Sequence, residues 1–424
     1  MRMIAAKILT ASIASLLAGA AHADVTLTIL ADTNPESVAF FDALTKAYAE
    51  KRPDITFDIE SRPGGSEGDN MVKTRLATGE MADIFQYNSG SLFQALKPQQ
   101  TLADLSGLSN AGHIQESFKA VVTAPDGSLR GAPFGPAMGG GIFYNRKIYA
   151  DLGLEVPKTW SEFIANSEKI KAAGKVAIAQ TYGDTWTSQL FVLADFYNVN
   201  AVVPNFAKDY TENRAKYATT PAAAKGFEHL EQTGKAGFFN ADFGAAKFDD
   251  GMRMVATGEA AHYPMLTFGI GNVAQNFAAN LPDLGFFAQP GDDAAKNGLT
   301  IWMPSALYVP ADAENLEEAK TFLDWMISKE ACELMAKTVP SGPYLIKDCQ
   351  LPANIPQAVS DMLPYFETDG RTAPALEFLS PVKGPALEQI TVEVGTGIRS
   401  AADAAALYDQ DVEKQAKQLG LPNW

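Results

Sequence analysis

Between Val25 and Tyr87 the chain switches twice from a strand pattern to a helix pattern and back, and few folds accept that order. Val25 to Ala31 reads as a buried strand. Asn34-Pro35-Glu36 then starts a helix, with Asn suited to the cap, Pro to the first helical position and Glu to the positive end. Val38, Phe41, Leu44 and Tyr48 recur at helical spacing until Arg52-Pro53 stops them. Ile55 to Ile59 alternates as a second strand, Gly64-Gly65-Ser66 makes a loop, Met71 to Ala77 a second helix, and Ile84 to Tyr87 a third strand. Strands alternating with helices predict a parallel sheet with crossover helices.

The pattern restarts after Gly131-Ala132-Pro133-Phe134-Gly135-Pro136. Gly141 to Asn145 and Val176 to Gln180 read as strands, Thr159-Trp160-Ser161-Glu162 as a capping box ahead of a helix that Gly174 ends, and Thr220-Pro221 and Asn315 to Glu318 as further helix starts. A length of 424 residues suits two or three domains. The expectation is two α/β lobes with parallel sheets, the Gly/Pro stretch being the first crossing between them.

Residues 1–23 read as an export address. Arg2 and Lys7 precede an uncharged apolar run from Ile8 to Ala21, and Ala21-His22-Ala23 fits a small-x-small cleavage site before Asp24. The run is too short to span a bilayer, and no Cys near the cut supports a lipid anchor. Export bears on Cys332 and Cys349: an oxidising compartment permits a disulfide, and Pro340-Ser341-Gly342-Pro343 between them favours it by turning the chain back, the alternative being two buried thiols. The net charge of −16 argues against nucleic acid and against an anionic membrane surface.

Catalytic signatures are sparse. Gly64-Gly65-Ser66-Glu67-Gly68 matches G-x-S-x-G between a strand and a helix, yet too few strands precede it for a nucleophile elbow, and nothing around His113, His229 or His262 marks a triad base. The chain has no H-E-x-x-H, C-x-x-C, EF-hand or Walker pattern, and Asp249-Asp250 and Asp292-Asp293 read as solvated turns or caps, so neither metal nor cofactor is expected. What stands out is aromatic residues in loops: Trp186, Tyr263 before Pro264, Trp302, and Tyr344 after Pro343. A flat aromatic face suits the C–H face of a pyranose, and amides or carboxylates beside it bind hydroxyls.

Several stretches carry a family resemblance: Arg52-Pro53-Asp54-Ile55, Ala77 to Ile84, Phe143-Tyr144-Asn145-Arg146 followed by Gly153 to Trp160, Met254 to Met265, and Ala319 to Ser328. In this order and spacing the chain resembles the extracellular solute-binding proteins of carbohydrate ABC transporters, the family of the maltose- and trehalose-binding proteins, over essentially all of residues 24–424. The resemblance implies the two-lobed periplasmic-binding-protein fold with a ligand cleft between lobes joined by hinge segments. It places crossings near Phe134–Ala137, Tyr263–Thr267 and Met326–Lys329, giving a first lobe of 24–135 plus 268–327 and a second of 136–267 plus 328–424.

The resemblance also implies ligand contacts. The loop after the first strand points to Asp32, Asn34 and Glu36, the next loop to Ser66 and Asp69, and the third strand's end to Tyr87 and Asn88. Trp186 is the stacking candidate of the second lobe, Tyr263 stands where relatives carry Trp before Pro, and Trp302 and Ser305 flank Met303-Pro304 where relatives show Gly-Gly and an aromatic. Tyr344 joins them as a loop aromatic, and Arg371 fits a position where arginine can grip hydroxyls. The reading is a monomeric periplasmic protein, free of a lipid anchor, that captures a sugar by cleft closure and hands it to the permease subunits of an ABC importer without chemistry. Several aromatics over both lobes favour an oligosaccharide or glycoside. The alternatives are another polar solute (a polyamine, or a glycerol-phosphate ester if Arg371 and Arg62 face the cleft) and a secreted glycosidase.

Overall fold

The computed structural model describes residues 25–424, so the export address read at 1–23 lies outside the described residues. The first sheet runs β2 (Ile55–Arg62), β1 (Val25–Asp32), β3 (Ile84–Tyr87), β10 (Ser305–Tyr308), β4 (Gly131–Phe134). β1 is parallel to both β2 and β3, and β10 is antiparallel to β3 and β4. The crossovers are α1 (Pro35–Lys51) and α2 (Gly65–Thr78). α1 buries Phe40, Phe41, Leu44 and Tyr48, and it turns Val38 outward in place of Phe40. α2 starts a turn and a half before Met71 because its polar first turns bury only Gly68. That part of the helix has no apolar stripe to read.

The second sheet runs β11 (Thr372–Pro374), β9 (Leu299–Trp302), β5 (Met138–Asn145), β7 (Ala260–Leu266), β6 (Val176–Ile178), with β8 (Leu284–Ala288) also pairing β5. It is mixed rather than parallel. β5 is antiparallel to β7, β8 and β9, and only β6–β7 and β9–β11 run parallel. The helix Trp160–Ala172 opens with the expected capping box of Thr159 and Glu162. Among the described residues no helix is long and apolar enough to cross a membrane.

The chain leaves the first sheet after β4 and enters the second at β5. The return differs from the expectation. β8 and β9 belong to the second sheet, so within residues 268–327 the chain rejoins the first sheet only at Met303-Pro304, between β9 and β10. The helix Lys329–Thr338 packs on α1, and the helix Gln357–Glu367 packs on β8, which moves the last crossing from Met326–Lys329 into residues 339–356. Local periodicity identifies a strand but not the sheet that accepts its hydrogen bonds, which is why these boundaries moved.

Cys332 and Cys349 are bonded to each other, with Cα atoms 6.0 Å apart, and the bridge ties the turn at 340–348 to the helix Lys329–Thr338. For a sequence separation of 17 residues the chain-entropy contribution is about 3 kcal/mol. Thiol reductant should therefore lower the melting temperature of the wild type and leave a Cys332→Ser/Cys349→Ser variant, already less stable, unaffected. Identical melting of the wild type with and without reductant would contradict the bridge.

Candidate functional site

The carboxyl ends of β1, β2 and β3 meet at one edge of the first sheet, the edge where open parallel sheets bind ligands. The register sets Asp32 beside Arg62. Gln86 on β3 donates from its amide to Asp32 Oδ2 at 2.8 Å, and the backbone N–H of Asn34 donates to Asp32 Oδ1 at 3.0 Å. Asn34 occupies the helix cap without using its side chain there, which leaves that amide for the cavity. The Arg62 guanidinium is buried, donates to the carbonyls of Gln86 and Pro63, and sits 5.7 Å from the centre of the Tyr87 ring. Burial pushes the Asp32 carboxyl above its usual range although the neighbouring Arg62 charge pulls it down. Asp69 is raised for the same reason, against the pull of Lys73, Arg62 and Lys383.

Across from this edge the second lobe supplies aromatic faces. Trp186 lies in the short turn Thr185–Gln189, half-buried, with its ring centre 5.6 Å from that of Phe248 and 6.1 Å from that of Phe268. Trp302 ends β9, and its indole N–H donates to Glu377, whose other oxygen lies 3.1 Å from the Lys383 amine. Glu388 accepts from the Thr185 hydroxyl at 2.8 Å and, across the two lobes, from the Ser66 hydroxyl at 3.4 Å. Between these walls lies a cavity of about 230 Å³.

Of the residues expected from sequence, Asp32, Asn34, Asp69, Asn88, Trp186, Trp302 and Ser305 line this cavity. Ser66 lines a neighbouring one instead. Glu36 lines a small side pocket with Asp32 and Asn34, but it is buried and accepts a hydrogen bond from Ser341.

Four expectations do not hold as cavity-lining positions. Tyr87 is fully buried beneath Arg62. Tyr263 is buried in β7 opposite Phe143, and its hydroxyl pairs with that of Thr181 at 2.6 Å. Tyr344 is buried and donates to the Val339 carbonyl, and its ring meets Phe40 edge-on. Arg371 donates to the Asn297 carbonyl at the outer end of the β9–β11 pair. For Tyr263 and Tyr344 the neighbouring proline marks a break in the chain, not exposure, and both hydroxyls have partners in the packed interior.

Sequence reasoning missed Gln189, Phe268, Glu377, Phe378, Lys383 and Glu388, all on the cavity wall. The G-x-S-x-G stretch is also explained: Gly68 lacks a side chain because a Cβ there would lie 2.0 Å from the Pro63 carbonyl oxygen that Arg62 holds. No histidine lines this cavity; His262 is buried against Tyr149 and His229 is stacked under Trp160. Among the described residues no group of three or more His, Cys, Asp or Glu is positioned to hold a metal ion.

Burial pushes the Glu36 carboxyl up to about 8; the hydrogen bond from Ser341 works against that rise and the Asp32 charge adds to it. The folded state thus keeps a proton that the unfolded chain, near its ordinary 4.5, has lost, so this group's contribution to stability falls as pH climbs from about 4.5 to about 8. Asp195, raised to about 7 by burial, adds a slope of the same sign elsewhere. Glu36→Gln keeps a neutral hydrogen-bonding group, so the melting temperature of the variant relative to wild type should rise steadily across that window. Parallel melting curves against pH would remove Glu36 as the titrating group.

The model of the bacterial extracellular solute-binding protein family matches residues 31–331. A multiple sugar-binding protein of Streptococcus mutans serotype c is 23% identical over 327 residues, 76% of this chain and 75% of that one. The melibiose/raffinose/stachyose-binding protein MelE of Bacillus subtilis is 24% identical over 361 residues, 81% and 80% of the two chains. Among solved structures, a chitin oligosaccharide binding protein superposes with a TM-score of 0.81 at 20% identity over 93% of this chain and 99% of that one. The binding protein RafE in complex with raffinose gives 0.74 at 19% identity over the same shares of the two chains.

Proposed function

The chain belongs to the bacterial extracellular solute-binding proteins, and from that premise we propose that it captures an oligosaccharide or glycoside between its lobes and delivers it, chemically unchanged, to the permease of an ABC importer. The observation that carries this reading is the pairing of surfaces across one cavity, with Trp186, Phe268 and Trp302 on one side and Asp32, Asn34, Asp69 and Asn88 on the other. Apolar ring faces opposite short polar side chains match a pyranose, which has an apolar C–H face and a hydroxyl rim. Only closure lets both walls touch one ligand, so binding shifts the population toward a closed form whose surface the permease reads. The charged start, apolar run and small-x-small site within residues 1–23 support export to the periplasm.

An anionic ester fits less well. Arg62 spends its donors on backbone carbonyls and Lys383 is paired with Glu377, which leaves the cavity's cations engaged. A cationic solute is the second reading, favoured by Asp32, Asp69 and Glu388 on the cavity wall. The discriminating experiment is a thermal-shift screen of the exported chain against mono-, di- and trisaccharides, polyamines and phosphate esters, followed by product analysis. A ligand that binds only the folded state raises the melting temperature with occupancy. A shift with saccharides and no hydrolysis product is expected. A shift with polyamines alone would overturn the ligand class, and turnover of the sugar would overturn the binding-protein reading.

A further inference from the structure

Beside the main cavity the two lobes meet along a short seam. Gly64, Gly65 and Ser66, at the start of α2, form its first-lobe side, and Trp186 and Glu388 form the other. The Ser66 hydroxyl donates to Glu388 Oε2 at 3.4 Å, and a Cβ at Gly65 would lie 3.6 Å from the same oxygen. Another place of contact between the lobes, Gly90 against Phe378, brings no polar side chain across.

Glu388 is held in place by its own lobe. It stands in the first turn of the helix Leu387–Gly395, which packs on the turn Thr185–Gln189, and the Thr185 hydroxyl donates to its Oε2 at 2.8 Å. Its backbone carbonyl accepts from the Ser188 hydroxyl at 3.0 Å. Both partners of the carboxylate are neutral hydroxyls, and the nearby Lys383 amine is turned to Glu377, so no ion pair cancels the charge. Across the seam α2 opens on two glycines, and no side chain caps its first N–H groups; its own Glu67 is exposed. The positive end of a helix favours a carboxylate. At 3.4 Å the bond from Ser66 is at the long end of hydrogen bonding, so the contact holds the lobes loosely enough to part.

We propose that Glu388 acts in capture as a closure latch: its carboxylate, oriented by Thr185, docks on the Ser66 end of α2 when the lobes close, and it stabilises the closed form with or without ligand. This rests on cleft closure in the reading above and not on the identity of the ligand. A ligand then meets a protein whose competent form is already part-populated, so apparent affinity rises by the same factor for every ligand. Release requires this contact to part.

Small-angle X-ray scattering of the ligand-free exported chain tests it through the charge at position 66. Ser66 is exposed and lies off the main cavity wall, so substitution there spares the ligand contacts. Ser66→Lys offers Glu388 an opposite charge, and Ser66→Asp a like one. The radius of gyration should be smaller for Ser66→Lys and larger for Ser66→Asp, with the closed-to-open ratio differing by about tenfold between them. Changing the charge in both directions keeps the effect visible whichever form dominates in the wild type, and melting serves as the folding control. In a Glu388→Gln background the spread should vanish, and in Glu388→Lys its order should reverse, which a purely structural role for Glu388 would not produce. Equal radii in folded Ser66→Lys and Ser66→Asp, or a spread that survives Glu388→Gln, would overturn the latch and leave capture by closure standing. Radii altered neither by these substitutions nor by a saccharide that raises the melting temperature would overturn closure itself, and the latch with it.

Discussion

Trp186→Ala should weaken saccharide binding by about thirtyfold or more, equivalent to about 2 kcal/mol, while the fold survives. The ring is half-buried, backed by Phe248 and Phe268, and presents its remaining face to the cavity. A rigid aromatic backed in this way orders little on binding, so most of its contact with a C–H face is retained as affinity. The indole also sits at the seam between the lobes: a Cβ at Gly64 of the first lobe would lie 3.7 Å from the Trp186 indole nitrogen. Removing the ring therefore weakens the closed form as well as the contact. Trp186→Phe restores a flat face and should recover most of the loss, which a purely structural role at the seam would not require. Calorimetry on the three proteins checks this, with unliganded melting as the folding control. Wild-type affinity in Trp186→Ala would take this ring out of the ligand's path.

The β1-to-β3 half of the first sheet was legible because its strands and crossovers are encoded locally, whereas β4 and β10 were not. The strand–helix–strand alternation from Val25 to Tyr87 follows from residue spacing, and the parallel pairing of β1 with β2 and β3 follows from the intervening helices. The second sheet was not legible in the same way. β5 takes β7, β8 and β9 as antiparallel partners, from segments more than a hundred residues away in sequence, and nothing local in β8 or β9 states that choice. The same distinction separates the site residues. Asp32 and Asn88 sit at the ends of β1 and β3, and Asp69 in the second turn of the crossover helix α2, where a parallel sheet places its ligand edge. Glu377, Lys383 and Glu388 reach the cavity through tertiary packing, and the only local hint was the break at Pro381-Val382-Lys383-Gly384-Pro385. Tyr263 and Tyr344 misled for a related reason. An aromatic beside a proline is equally compatible with an exposed loop and a buried strand end, and the hydroxyl partners Thr181 and the Val339 carbonyl decided for burial.

Gly140→Ala should impair both melting and binding, although the residue itself forms no part of the cavity wall. It lies in the Gly139-Gly140-Gly141 run of β5, opposite Thr300 of β9, and a Cβ there would stand 2.2 Å from the Trp302 ring. Trp302 cannot give way freely: it is buried among Ala194 and Ala375, and its indole N–H is fixed on Glu377, which in turn pairs with Lys383. Overpacking of this kind destabilises by about 1–3 kcal/mol. Displacement of the indole also tilts one aromatic wall of the cavity and frees a carboxylate, so saccharide affinity should fall by at least about tenfold. A second substitution separates the two effects. Trp302→Phe in the Gly140→Ala background replaces the indole, whose six-membered ring makes the clash, with a smaller ring, so melting should return toward wild type while binding stays weak, because the indole face and its N–H are gone. Wild-type melting and affinity in Gly140→Ala alone would show that the indole has room to move, and that the three-glycine run answers to something other than the approach of Trp302.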